Sequence, residues 1–258
     1  MNNMNYEIEG SGETLVFIHG LSDNLLFWEF LTSNLKDDYQ VLRIDLRGHG
    51  ETELGNDAVT INLLADDLKS LLDELQIENV NLFGFSLGGA VAIDFAVRYP
   101  QMISSLVLMS TFYKADEHLT RILNQFKEAL GNGFGDFYEL ILPMVLCPDV
   151  IEDNMDELMI LKEFTSQTAN TQAYIQAADA CLDFNVENEL PQIDASTLVL
   201  AGKYDEISLL DSQRDMKNKI KNADLIVFDD VKHNLLVGKN NEKILNILKD
   251  FYKKIKDK

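Results

Sequence analysis

A chain of 258 residues is long enough to bury one large core, in the range of a single α/β domain or of one domain carrying an insertion. Lys and Arg total 22 against 43 Asp and Glu, a formal charge of −21, which repels phosphate backbones and anionic lipid surfaces and argues against nucleic-acid and membrane partners. No basic, apolar, then small-residue leader opens the chain, and the longest apolar-rich stretch, residues 82–97, contains Asp94 and several glycines, so a cytoplasmic protein is expected. Cys147 and Cys181 lack metal-ligand spacing and are expected to be packing residues, with no disulfide framework and no metal.

In chain order, short apolar or β-branched runs alternate with longer segments of helical period, the pattern of a mostly parallel sheet covered by helices. Strands are predicted at 4–8 and 14–18, a helix at 26–35, a strand at 40–44, a helix at 61–75, a strand at 79–83, a helix at 87–99 and a strand at 105–109. The alternation then stops. From 113 to 190 there is no convincing strand, only helix-like segments punctuated by Gly131, Gly133, Gly135, Pro143 and Pro148. It resumes with strands at 197–200 and 225–228 and helices at 209–221 and 242–254. The organisation predicted is a core of residues 1–112 and 191–258 interrupted by a helical cap, 113–190.

Chemistry concentrates at Gly84-Phe85-Ser86-Leu87-Gly88, a G-x-S-x-G sequence that directly follows a strand and opens an apolar helix. A serine in so sharp a turn suffers close backbone contacts, so its flanks need glycine, and its hydroxyl is presented at the carboxyl edge of the sheet. The helix N-terminus behind it supplies free N–H groups where negative charge would develop on a reacting carbonyl. A serine hydroxyl needs a base to take its proton, and the chain offers four histidines. His19 and His49 precede the serine, against the hydrolase order of nucleophile, acid, base; His118 falls in the helical insertion, where a solvated residue is expected. His233 remains, on a short turn after the last strand. The acid that orients it should lie beyond a different strand, and Asp205, following the strand at 197–200, meets that specification, with Glu206 as its competitor.

The ordered set Phe17-Ile18-His19-Gly20-Leu21, Asp45-Leu46-Arg47-Gly48-His49-Gly50, Gly84 to Gly89, Gly202-Lys203-Tyr204-Asp205 and Lys232-His233 resembles the α/β-hydrolase superfamily. It is similar above all to small capped members such as carboxylesterases, enol-lactonases and carbon–carbon bond hydrolases. The resemblance covers nearly the whole chain and implies a sheet of about eight strands with helices on both faces, a helical cap, and no metal or organic cofactor. It selects Asp205 over the longer Glu206. It also makes His19-Gly20-Leu21 the oxyanion loop, where the Leu21 N–H joins that of Leu87, each such donor being worth about 3 kcal/mol in the transition state. Asp45, Arg47 and His49 are expected to be structural. Many relatives have glycine where this chain has Lys232.

The function expected is hydrolysis of a small-molecule carboxylic ester or lactone. The same fold and triad also serve carbon–carbon hydrolysis, lyase and acyltransferase chemistry, or a non-catalytic sensor, and the sequence leaves these open. Residues 113–190 carry four basic residues against fifteen acidic ones, a formal charge of −11, which favours neutral, apolar substrates over polycarboxylates. Trp28, Phe85, Phe137 and Met144 are the candidate substrate-binding side chains. Oligomeric state is not readable from the sequence.

Overall fold

The computed structural model describes residues 4–256, so the first three and last two positions of the predicted core lie outside the described residues. Seven strands form one sheet: β1 (Tyr6–Glu9), β2 (Thr14–Ile18), β3 (Gln40–Ile44), β4 (Val80–Phe85), β5 (Ile103–Met109), β6 (Ser196–Gly202) and β7 (Ala223–Phe228), in the order β1-β3-β2-β4-β5-β6-β7. Only β1 is antiparallel, paired with β3 at the edge. The buried Arg43 of β3 ties that edge down, pairing with Glu7 and Glu9 of β1 and with Glu29. These are the seven runs nominated in the sequence. The family resemblance predicted about eight, and no eighth strand is present among the described residues.

The central strands β2 and β4 are buried along their whole length, as near-continuous apolar runs must be when helices cover both faces. Alternation along each strand then divides the core. Val16 and Ile18 face a cluster with α2 (Ile61–Glu74), α3 (Leu87–Arg98) and α9 (Leu210–Lys219). Leu15 and Phe17 face another with α1 (Glu29–Leu35) and α10 (Asn240–Lys256). In α2 the buried positions 61, 64, 65, 68, 71 and 72 make one apolar stripe, and its first turn is capped by the Thr60 hydroxyl, which accepts the Leu63 N–H at 3.0 Å.

Between β5 and β6 lie five helices, α4 (Glu117–Asn132), α5 (Phe134–Val145), α6 (Pro148–Asp153), α7 (Met155–Thr168) and α8 (Thr171–Leu182). The two ends of this segment meet at an isolated bridge between Lys114 and Asn185, with the Val186 N–H donating to Tyr113 O at 2.9 Å. Its apolar residues Leu119, Phe126, Phe137 and Tyr174 belong to the same buried cluster as α2 and α3, so its inner face is continuous with the main core. By contrast α7 buries none of its side chains and exposes Ile160, Leu161 and Phe164. Among the described residues no helix is long and apolar enough to cross a membrane.

Trp28, which the sequence allows either as the floor of the pocket or as core packing, is completely buried. Its ring stacks on Phe17 at 5.0 Å and packs against Phe27 and Phe83 at 4.9 and 4.8 Å, which leaves it no face for a ligand. This is a core role, as large aromatics dominate apolar burial. Trp28→Ala should therefore lower unfolding free energy by about 3–5 kcal/mol in urea titrations. The milder Trp28→Phe should leave KM unchanged; a raised KM with undiminished stability would return the ring to the pocket.

Candidate active site

Ser86 joins β4 to α3 with φ 51° and ψ −116°, a conformation that costs a non-glycine residue about 1–3 kcal/mol and persists only where surroundings impose it. Here they do. The Ser86 N–H donates to Met109 O of β5 at 3.0 Å, while its carbonyl accepts the Thr111 hydroxyl at 2.6 Å and the Gly89 N–H at 2.9 Å. The first turn of α3 presses on the loop after β2: a Cβ on Gly88 would lie 2.2 Å from Ile18 O and 2.5 Å from His19 O. That contact requires glycine, and it brings the Leu21 loop alongside the helix N-terminus on which Leu87 is the first residue.

The loop after β2 is held by a histidine that is not a base. His19 Nε2 accepts the Leu46 N–H at 3.0 Å, which makes Nδ1 the protonated nitrogen, and Nδ1 lies 2.7 Å from Gly20 O. Burial pushes the imidazole down to about 4, consistent with a neutral strut. From the other side Asp45 accepts the Leu25 N–H at 2.7 Å and the Glu51 N–H at 2.9 Å, and Arg47 forks onto Asp67 at 2.8 and 2.7 Å. Buried His49 is pushed down to about 3 by burial and by its neighbour His19. These side chains brace the loop.

Asp205 and His233 meet across the loops that follow β6 and β7. His233 Nδ1 is 2.9 Å from Asp205 Oδ2 and 3.0 Å from Oδ1, and Oδ1 also accepts the Ile207 and Ser208 N–H groups at 2.9 Å each. Both side chains are buried. A carboxylate facing Nδ1 fixes the proton there and leaves Nε2 free to act as a base. The loops touch because Gly202 has no side chain: a Cβ there would sit 2.0 Å from Lys232 O. Asp205 rather than Glu206 meets the imidazole, since Glu206 turns to Lys232, 2.5 Å away. The Phe85 ring, one residue before Ser86, lies 5.2 Å from the His233 ring, tilted by 46°.

Of the other expected pocket residues, Phe85 is stacked on Phe27 at 4.9 Å, and Met144 is half-buried on the last turn of α5. Phe137 is a second correction. It is completely buried, edge-on to Phe126 at 5.4 Å and packed on Phe134, so it holds the inserted helices together instead of lining a pocket. His118, expected to be solvated, is half-buried and bonds through Nε2 to Glu206 O at 2.8 Å. Sequence reasoning also passed over Asp23. Its carboxylate lies against Gly20, Oδ2 standing 3.3 Å from where a Cβ would be, and within the field of His233. In Ser22-Asp23-Asn24 it reads as an ordinary turn former, and nothing in the pattern marks it. Among the described residues no three His, Cys, Asp or Glu side chains converge as a metal site requires.

A mostly parallel sheet with a nucleophile elbow after its central strand defines an α/β hydrolase. More narrowly, the chain belongs to the family described as serine aminopeptidase, S33, whose model matches residues 11–240. It is 25% identical over 256 residues to the AB hydrolase superfamily protein YisY of Bacillus subtilis (strain 168), covering 94% of this chain and 92% of that one. Among solved structures it superposes on a thermophilic esterase from Thermogutta terrifontis with TM-score 0.88 at 24% identity, over 98% of this chain and 93% of the other. An enol-lactonase from Burkholderia xenovorans LB400 superposes with TM-score 0.88 at 23% identity, over 98% of both chains. At these identities the two structures speak to the fold.

Burial raises the Asp23 carboxyl from the ordinary 3.8 to about 7, with the His233 charge pulling the other way. The folded protein thus holds this proton over a window in which the unfolded chain has lost it, so ionisation weakens the fold progressively as pH rises from about 4 to 7. Asp23→Asn should raise Tm more at pH 8 than at pH 4.5. An equal shift at both pH values would mean that the carboxyl titrates normally.

Proposed function

We propose that the protein hydrolyses carboxylic esters or lactones through an acyl-enzyme formed on Ser86. The observation that carries this reading is the buried Asp205 carboxylate on His233 Nδ1 at 2.9 Å, at the sheet edge where Ser86 is held with φ 51°. His233 Nε2 takes the Ser86 proton as Oγ attacks the carbonyl carbon. The N–H groups of Leu21 and Leu87 receive the oxyanion, and collapse of the tetrahedral intermediate expels the alkoxide, which takes its proton from His233. Water then enters, gives a proton to the same nitrogen, attacks the acyl carbon and releases the acid with Ser86 restored. Each proton leaves and returns through His233, and Asp205 keeps the imidazolium oriented without accepting the proton.

The electrostatics favour a neutral substrate with an apolar acyl chain. Three of the four basic side chains in 113–190 are already engaged, Lys114 with Glu187, Lys127 with Asp179 and Lys162 with Glu139, and the fourth, Arg121, is exposed. Among these four only Arg121 carries a guanidinium fork, and a substrate carboxylate buried without one costs several kcal/mol in desolvation. The helices of 113–190 act, in this reading, as a cap over the catalytic edge, with Phe85 and Met144 at the acyl chain.

Ser86→Ala and His233→Ala should each lower kcat by roughly 10³-fold or more with the fold intact, because nucleophile and base act as a unit. Asp205→Asn should lose most of its turnover, since an amide cannot stabilise the imidazolium. Undiminished hydrolysis by purified Ser86→Ala would end the proposal. For specificity, kcat/KM for p-nitrophenyl butyrate should exceed that for the p-nitrophenyl hemisuccinate. The reverse order, weakening as salt rises, would reveal cations in the pocket.

A further inference from the structure

The last carbonyls of a helix have no intrahelical donors and must find partners elsewhere. At the end of α5 they find them on the catalytic loop. Pro143 O accepts the Lys232 ammonium at 2.6 Å, Val145 O accepts the Asn234 N–H at 3.0 Å, and two residues on the Cys147 thiol contacts Asp230 O at 3.6 Å. The carbonyl end of α5 also carries the negative pole of its dipole, so a cation is the favoured occupant.

The same ammonium reaches a second loop. Lys232 Nζ is 2.5 Å from Glu206 Oε1, and the Glu206 carbonyl is held by His118 of α4 at 2.8 Å. Lys232 precedes His233 and Glu206 follows Asp205, so one side chain joins the loop of the acid to the loop of the base, and both to the inserted helices. The Lys232 side chain is 17% exposed but that of Glu206 is 55% exposed, so solvent screens the ion pair and the bond to Pro143 O is the better shielded half of the bridge. A residue without this side chain could make neither the bond to Pro143 O nor the pair with Glu206.

We propose that Lys232 is a positioning residue: its bridge from Glu206 to the end of α5 holds the Asp205–His233 pair in register with Ser86 and makes that register depend on α5 being docked. The imidazole is held at Nδ1 by Asp205 with the Phe85 ring 5.2 Å away. Its loop is tied to the core by the buried Val231 and Leu235 and to the loop of Asp205 by the Tyr204 N–H on Val231 O, while Lys232 and Asn234 supply its polar links to α5. Misplacement of a catalytic group by about 1 Å costs on the order of 10²-fold in rate. The kinetic arm of the test rests on the ester-hydrolysis reading above; the spectroscopic arm does not.

The test compares Lys232→Met, Lys232→Arg, Glu206→Gln and the Lys232→Met/Glu206→Gln double variant in the full chain. Lys232→Met should lower kcat for p-nitrophenyl butyrate by roughly 10- to 100-fold with KM within about twofold. Lys232→Arg should recover most of the loss, and the double variant should be no slower than Lys232→Met, because both changes break one bridge. Independently, the low-field proton resonance of His233 Nδ1–H, assigned by its disappearance in His233→Ala, should shift or broaden in Lys232→Met and return in Lys232→Arg. An unchanged resonance and unchanged kcat in Lys232→Met overturn the proposal, as does a loss that tracks Tm and is not rescued by arginine. A wild-type protein inert toward esters, yet with a Lys232-dependent resonance, would sink the hydrolase reading and leave the positioning role standing.

Discussion

The backbone of Ser86 is the constraint on which the rest of the site depends. A non-glycine residue at φ 51° is uphill by about 1–3 kcal/mol, and it is kept there by three separate elements. Strand β5 takes its N–H through Met109, the segment after β5 supplies the Thr111 hydroxyl to its carbonyl, and α3 begins at the next residue. Once the turn is fixed, the first turn of α3 must lie against the loop after β2, a fit that only glycine at 88 permits. The loop in turn is immobilised by His19, which bridges the Leu46 N–H and Gly20 O, and by Asp45, which accepts the Leu25 N–H and the Asn5 side-chain amide. Strain at one residue is thus sustained by a shell of otherwise ordinary hydrogen bonds.

Three of the inserted helices, α4, α5 and α8, share the apolar core of α2 and α3 through Leu119, Phe126, Phe137 and Tyr174, while the end of α5 meets the loop of His233 through backbone carbonyls. Polar seams of this kind separate more readily than apolar ones, because each group exchanges a protein partner for water at little net cost. The inner layer of the insertion is therefore anchored by burial, and the α5 edge beside His233 is held by hydrogen bonds, one of them from the Lys232 ammonium. Helices α6 and α7, with no buried side chain, are the least anchored part of the segment.

Much of this was legible in the sequence wherever local pattern and local chemistry coincide. Strands β2 and β3 have the limits that alternation and flanking turn residues indicate, and the elbow at Ser86 is written in five consecutive residues. Strand β4 runs two residues beyond the predicted end because Gly84 and Phe85 still pair with β5 before the turn, which glycine content alone obscures. The region 113–190 reads as helical, but its division into five helices rests on breaks at Gly133, Cys147, Asn154 and Asn170, of which the sequence punctuation marks only the first and, through Pro148, the second. Trp28 and Phe137 looked like pocket residues because aromatic side chains serve cores and ligands alike; only the ring stacking around them decides. Asp23, His118 and Lys232 lay outside reach for another reason. Lys232 and His118 meet partners 26 to 89 positions away, and Asp23 lies in the field of the distant His233; no local spacing encodes a partner of that kind.

The central claim is that Ser86 is an activated nucleophile, and activation is a chemical property that a phosphonylating reagent reads directly. The most direct measurement is intact-mass and peptide mapping of the protein after reaction with an alkyl fluorophosphonate. The account predicts one adduct per chain, on the peptide containing Ser86, forming at a rate that falls sharply when His233 is replaced by alanine. A chain that stays unmodified, or one that carries its adduct on another residue with Ser86 intact, would contradict it.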